Sequence, residues 1–208
     1  MVWYMKNRDL GVRIIILLSL AGSFCVLTWL VINGNLHYLE SASYSSLSRF
    51  ITPAATSVMI IITNSASYAG ITFVAAVLLS LPVTRRPFGV PVAVNAVISA
   101  VFTEILKNII ARERPGILWL VTESGYGYPS GHTTNGTALC IIILLTVFRK
   151  TDSKKIKIPV LILTVAMPIL IGISRVYLGV HNAGDVLGGW VLGVIFALLT
   201  DTSFQYTT

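Results

Sequence analysis

Six stretches of the chain are apolar over close to the ~20 residues that a helix needs to cross a hydrocarbon core. They fall at about 13–32, 66–83, 90–111, 132–148, 158–178 and 183–200. No other feature restricts the fold as strongly, because one soluble core has no use for so much apolar surface. Of the 208 residues, 55% are hydrophobic and only 11% charged, whereas a soluble domain carries about 25% charged residues. The expected fold class is all-α: a polytopic bundle of six transmembrane helices. It forms a single domain over 1–208, sits in the membrane bilayer and has both termini on one side.

Two N-terminal segments need separate treatment. The first apolar run, Ile14 to Ile32, follows Lys6, Arg8 and Arg13 and has the outline of a signal peptide. It is of span length and lacks a small-x-small site before Asn33, so it reads as a retained first helix. Further on, Leu47, Phe50, Ile51, Ala54, Val58, Ile61 and Ile62 recur at helical spacing up to a polar break at Thr63-Asn64-Ser65. This spacing predicts an interfacial amphipathic helix over about 43–62. A seventh span is the competing reading.

The net charge is +7, and ten of the fifteen Lys and Arg residues fall on one side of the six spans. They are Lys6, Arg8 and Arg13, then Arg85 and Arg86, then Arg149, Lys150, Lys154, Lys155 and Lys157. Basic residues in short loops mark the cytoplasmic face, so both termini are expected in the cytoplasm. The same distribution argues against nucleic acid as a partner. Trp29, Tyr38, Trp119, Tyr126 and Tyr128 suit an aromatic belt at the opposite interface. Cys25 and Cys140 lie in apolar segments and read as small buried hydrophobes.

Three polar clusters gather on the extracytoplasmic side. The run from Lys107 to Arg114 and Pro115 ends the third span. Pro129, Ser130, Gly131 and His132 open the fourth. Ser174, Arg175, His181 and Asp185 lie where the fifth turns into the sixth. One loop separates the first two clusters and two crossings separate the second from the third, so all three share a side. Lys107 and Arg114 are two helical turns apart and are expected on nearly one face. With Arg175 they make three fixed cations, and Ser130 reads as a helix N-cap whose Gly131 and His132 amides point at an anion. Such a set needs a polyanion, and phosphate fits.

His181 and Asp185, spaced i, i+4, are expected to meet on one helical face. A carboxylate that accepts from one ring nitrogen leaves the lone pair of the other free, which makes the imidazole a nucleophile toward phosphorus. His132 is then the candidate proton donor and base. Zinc is the rival chemistry for two His and an Asp, but three cations would repel it, so neither metal nor another cofactor is expected. Glu104 reads as a pairing partner of Lys107 and Asn108.

The clusters resemble the signature of the type 2 phosphatidic acid phosphatase (PAP2) superfamily, K-x6-R-P, P-S-G-H and S-R-x5-H-x3-D, with every position filled. The resemblance implies a metal-free phosphohistidine mechanism. His181 would be the nucleophile, Asp185 would orient it and His132 would be the acid and base. Lys107, Arg114, Ser130, Gly131, His132 and Arg175 would hold the phosphate. The short chain resembles bacterial members, which implies a cell-membrane location and a lipid phosphate substrate. Undecaprenyl diphosphate and phosphatidylglycerol phosphate stand level, ahead of phosphatidic acid. A lipid phosphotransferase and a non-catalytic lipid-binding or transport protein are the alternative readings. The sequence does not specify an oligomeric state.

Overall fold

The computed structural model describes residues 2–207, with side chains from 10 to 204. Lys6 and Arg8 of the basic flank therefore lie outside the described side chains. All regular structure among the described residues is helical, the form in which a segment in lipid satisfies its own backbone hydrogen bonds. The elements are α1 (Val2–Ile32), α2 (His37–Ser48), α3 (Pro53–Asn64), α4 (Tyr68–Ser80), a short α5 (Pro82–Thr84), α6 (Val90–Ile110), α7 (Gly131–Lys150), α8 (Lys154–Tyr177) and α9 (Ala183–Thr207). Five helices are long and apolar enough to cross a membrane. Helices α3 and α4, bent by 51° at their junction, make a sixth if taken as one broken span. The protein is a multi-pass membrane protein of all-α class.

The bundle has two polar ends. At one, Asp201 of α9 is fully buried and pairs with Arg13 of α1 at 2.8 Å and with Arg149 of α7. Arg86, Arg149 and Lys150 line a cleft there. At the other end lie Lys107, Arg114, His132 and His181. Helix α4 begins at the second end, where Tyr68 lines the same cavity, and Arg85 and Arg86 follow it at the first.

Five expectations change. The second span, expected over 66–83, is the 13-residue α4, long enough to cross only together with α3. Cys25, read as a small buried hydrophobe, is exposed on α1. The segment expected as one interfacial helix over 43–62 is two helices, α2 and α3. Pro53 disfavours helical backbone at the residue before it. Thr52 is extended (φ −141°, ψ 157°), and its hydroxyl caps α3 by accepting from the Ala55 amide at 3.2 Å. The Arg85–Arg86 link is a helical π-turn, Arg85–Gly89, running straight into α6. Pro87 inside that turn has no N–H to donate. Tyr128 does not join an aromatic belt. It is buried, shares a 2.8 Å hydrogen bond with the Thr28 hydroxyl, and lies where a Cβ on Gly188 would come within 2.6 Å of its ring. Trp29 and Tyr38, by contrast, are well exposed.

Helix α7 sits at the centre, packed on α6, α8 and α9. Its approach to α9 is set by Gly189 and Gly193. A Cβ on Gly193 would come within 2.6 Å of the Thr134 carbonyl oxygen and of Thr137 Cβ. Small residues let backbones close up in this way where lipid supplies no hydrophobic drive between helices. We expect Gly193→Ala to lower the unfolding temperature in detergent, at an overpacking cost of about 1–3 kcal/mol. Gly22→Ala, at a position inside α1 with nothing within 4 Å, should not lower it; an equal fall in differential scanning fluorimetry would contradict this account.

Candidate active site

The first cluster does not lie on one helical face. Helix α6 stops at Ile110 because Ala111 adopts left-handed backbone (φ 50°, ψ 36°), its N–H returning to the Lys107 carbonyl at 2.8 Å. Residues 112–115 leave the helix without regular structure. Lys107 and Arg114 still meet, by chain reversal, and both line one cavity of about 170 Å³. Arg114 is held from three sides. Its Nε donates to the Gly125 carbonyl at 3.0 Å, Nη2 to the Ser124 carbonyl at 2.8 Å and Nη1 to the Val180 carbonyl at 2.9 Å.

The second cluster places His132 in the cavity wall at the second residue of α7. Ser130 occupies the N-cap position but makes no side-chain cap. Its hydroxyl oxygen accepts from the Thr133 hydroxyl at 2.9 Å, and its amide donates to the Asp185 carbonyl at 3.0 Å. Gly131 leaves room for Lys107, whose ammonium would lie 3.9 Å from a Cβ there. The helix start thus lies beside a cation, an arrangement that suits an anionic ligand between them.

Arg175, in the last turn of α8, is 1% exposed. Its Nη1 donates to the Thr63 hydroxyl at 3.0 Å and its Nη2 to Glu123. Its Nε is buried with no hydrogen-bond partner among the described residues, and an unmet buried donor is costly. Glu123 also stands 3.5 Å from Arg114. Burial alone would raise the Glu123 carboxyl, but Arg175, with His132 and Arg114, holds it below the usual range.

His181 and Asp185 pair at 3.3 Å, Nδ1 to Oδ2. They do so across a helix start and not along a helical face. His181 precedes α9, and Asp185 is its third residue, where its carboxylate accepts from the Asn182 amide at 2.9 Å. This is the return half of a capping box, so Asp185 caps the helix and holds the histidine together. The tautomer follows from the partners. Asp185 accepts, so Nδ1 carries the proton; Arg114 Nη1, at 3.1 Å, donates, so Nε2 carries the lone pair. Burial outweighs the Asp185 bond and pushes His181 down to about 4, which keeps the imidazole neutral at neutral pH.

The structure thus brings Lys107, Arg114, Gly131, His132 and His181 to one cavity, with Ser130, Arg175 and Asp185 in direct support. Several groups there have no site role in the sequence reading. Glu123, Tyr68 and Asn135 line the cavity, as does Glu104, which makes no ion pair with Lys107 at bonding distance among the described residues. Arg112 bonds Asp185 and Glu40. Thr63, read as part of a polar break, is the partner of Arg175. The available signal was that such polar residues are costly inside apolar runs and are kept there by a partner.

Comparison with known proteins places the chain in a known family and fold. A sequence profile described as the PAP2 superfamily matches residues 88–208. Phosphatidylglycerophosphatase B of Bacillus subtilis is 40% identical over 97 residues, 46% of this chain and 48% of that protein. Undecaprenyl-diphosphatase of Sulfolobus acidocaldarius is 33% identical over 133 residues, 61% of this chain and 60% of that protein. The matched stretches thus span about half to three-fifths of those relatives. A crystal structure of a transmembrane PAP2-type phosphatidylglycerolphosphate phosphatase from Bacillus subtilis superposes with a TM-score of 0.81 at 27% identity, covering 92% of this chain and 97% of that one. The Aquifex aeolicus LpxE crystal structure shares the fold at 19% identity, with a TM-score of 0.62 over 79% of this chain and 95% of that one. With the profile covering more than half its length, the chain belongs to the PAP2 superfamily.

Proposed function

We propose that the protein is a membrane lipid phosphatase that hydrolyses a phosphomonoester or diphosphate of a lipid through a phosphohistidine on His181. The observation that carries this reading is the His181 imidazole itself. It is buried and neutral, its tautomer is set by Asp185, and its Nε2 lone pair lies at a cavity lined by Lys107 and Arg114, with Arg175 behind the Glu123 wall. The relatives suggest the substrate class, being a phosphatidylglycerophosphatase and an undecaprenyl-diphosphatase. Phosphatidylglycerol phosphate and undecaprenyl diphosphate are therefore the two substrates of choice, ahead of phosphatidic acid.

The chemistry balances in two steps. The substrate phosphate enters between Lys107, Arg114, Arg175 and the Ser130–His132 helix start, competing with the Glu123 carboxylate for Arg175 and Arg114. Arg114 turns from Nε2 to a phosphate oxygen. The Nε2 lone pair forms the P–N bond as the bond to the leaving oxygen breaks, and His132 gives that oxygen a proton. Water then attacks phosphorus, His132 takes its proton, the P–N bond breaks and inorganic phosphate leaves. Asp185 stabilises the positive charge that the imidazole gains. Fixed cations neutralise the equatorial oxygens in place of a metal ion. The purified protein should accordingly keep its activity in chelator and be inhibited by vanadate. Complete loss in chelator, restored by a divalent ion, would overturn the mechanism.

The basic end of the bundle, with Arg13, Arg86, Arg149 and Lys150, is assigned to the cytoplasm of a bacterial cell. The termini lie on that side and the site faces outward. In a background lacking Cys25 and Cys140, Gly116→Cys should react with an impermeant thiol reagent in intact cells. Asp152→Cys should react only after permeabilisation. The inverted pattern would reverse the orientation.

The two histidines are separable by leaving group. His181→Ala removes the nucleophile, so no substrate should rescue it. His132→Ala removes the general acid, typically worth ~10²–10⁴-fold, and the loss should depend on leaving-group basicity. With a nitrophenyl phosphate, the His132 variant should show an initial burst of nitrophenolate at high enzyme concentration even where steady turnover is slow. A burst in the His181 variant and none in the His132 variant would exchange the roles.

A further inference from the structure

We infer that Arg112 and Glu40 are positioning residues that clamp the second oxygen of the Asp185 carboxylate, so that its first oxygen stays aimed at His181. The inference rests on the reading of His181 as nucleophile and adds two residues to it.

Asp185 is fully buried and both its oxygens are engaged. Oδ2 takes His181 Nδ1 at 3.3 Å and the Asn182 amide at 2.9 Å. Oδ1 takes Arg112 Nη1. The other arm of the same guanidinium, Nη2, donates to both oxygens of Glu40, at 2.9 and 2.8 Å. Arg112 and Glu40 are themselves mostly buried, at 18% and 8% exposed. The chain of contacts runs from α2 through the segment after α6 to the first turn of α9. Gly184 permits it: a Cβ there would come within 2.6 Å of Glu40 Oε1.

Geometry gives the clamp its function. A carboxylate held at one oxygen can turn about its Cβ–Cγ bond. Its hydrogen bond to His181 is long, so a small turn breaks it. Arg112 Nη1 fixes the plane from the far side, and the two Glu40 oxygens on Nη2 fix the guanidinium. Charge gives it a second function. Arg112 alone beside Asp185 would cancel the anion that must stabilise the imidazole as it gains positive charge. Glu40 offsets Arg112, so the triplet of Glu40, Arg112 and Asp185 keeps a net charge of one negative. In a dry site that difference is felt strongly. A merely structural ion pair between α2 and α9 predicts none of this coupling to Asp185.

A double-mutant cycle in detergent-purified protein tests the inference, with phosphatidylglycerol phosphate and a nitrophenyl phosphate as substrates. Arg112→Ala should lower kcat by about 10–100-fold, as expected for loss of orientation near a reacting centre, with KM and vanadate inhibition little changed. Arg112→Lys should recover part of the loss, and Glu40→Gln should give a smaller loss in the same direction. In an Asp185→Asn background, Arg112→Ala and Glu40→Gln should each cost less than about twofold, because their effect passes through Asp185. Equal losses in both backgrounds, or a change in KM alone, would overturn the inference. If Arg112→Ala does not fold, judged by its melting temperature, Glu40→Gln completes the cycle. If Asp185→Asn is silent, the split between kcat and KM together with the Lys rescue decides. Activity retained in His181→Ala would sink the underlying phosphohistidine reading, and that control does not involve Arg112 or Glu40.

Discussion

The whole site hangs on one buried aspartate. Asp185 holds His181 with one oxygen, Arg112 with the other, and the Asn182 amide with the first again. Its backbone carbonyl receives the Ser130 amide. Four stretches of chain therefore meet at one residue: the start of α9, the turn before it, the segment after α6 and the start of α7. A buried carboxylate is expensive unless its lone pairs are filled, and here the filling contacts either place a site residue or cap α9. Capping the helix and orienting the histidine are the same act.

Helix packing makes that meeting possible. Thr133, Thr134 and Thr137 of α7 face α9 across Gly189 and Gly193, where no side chain fits. The close approach brings the Ser130 amide within reach of the Asp185 carbonyl. Charge is then sorted to the two ends of the bundle. The Arg13–Asp201–Arg149 group anchors α1, α7 and α9 at one end, while the cations around His181 crowd the other. Like charges crowded in a dry site repel, and Lys107, Arg114 and Arg175 are tolerable together because acids stand among them. Glu123 bonds one of these arginines and approaches a second.

Five of the six spans, the shared side of the three motifs and the His181–Asp185 pair were legible because they depend on local spacing and on parity of crossings. What depends on tertiary partners was not. Spacing put Lys107 and Arg114 on one helix face, but Ala111 ends the helix between them and the two meet by a reversal instead. The His181–Asp185 spacing suggested a helical pair, whereas a capping geometry delivers it. Tyr128 has the composition of an interfacial residue, yet Gly188, distant in sequence, opens a slot that buries it. Arg112 was visible as a charge in the first cluster, but its two carboxylate partners come from α2 and α9, about seventy residues away on either side. Nothing in its neighbours points to either. The PAP2 match begins at residue 88, so Glu40 and Thr63 lie outside the stretch in which the motifs could be read.

The contribution of that N-terminal part is then more than anchoring. Thr63, at the junction of α3 and α4, fixes one arm of Arg175, and Glu40 of α2 fixes Arg112. Each supplies a neutral or negative partner to an arginine whose other arm faces Glu123 or Asp185. Arginine serves here because its planar fork can be gripped at one end while the other end acts; a lysine ammonium has no second arm to hold. In the proposed mechanism the signature residues of α6 to α9 supply the reacting groups. The less regular helices before them set the direction in which two of the four cations point. A bundle of α6 to α9 alone would keep every signature residue and lose the partners that aim Arg112 and Arg175.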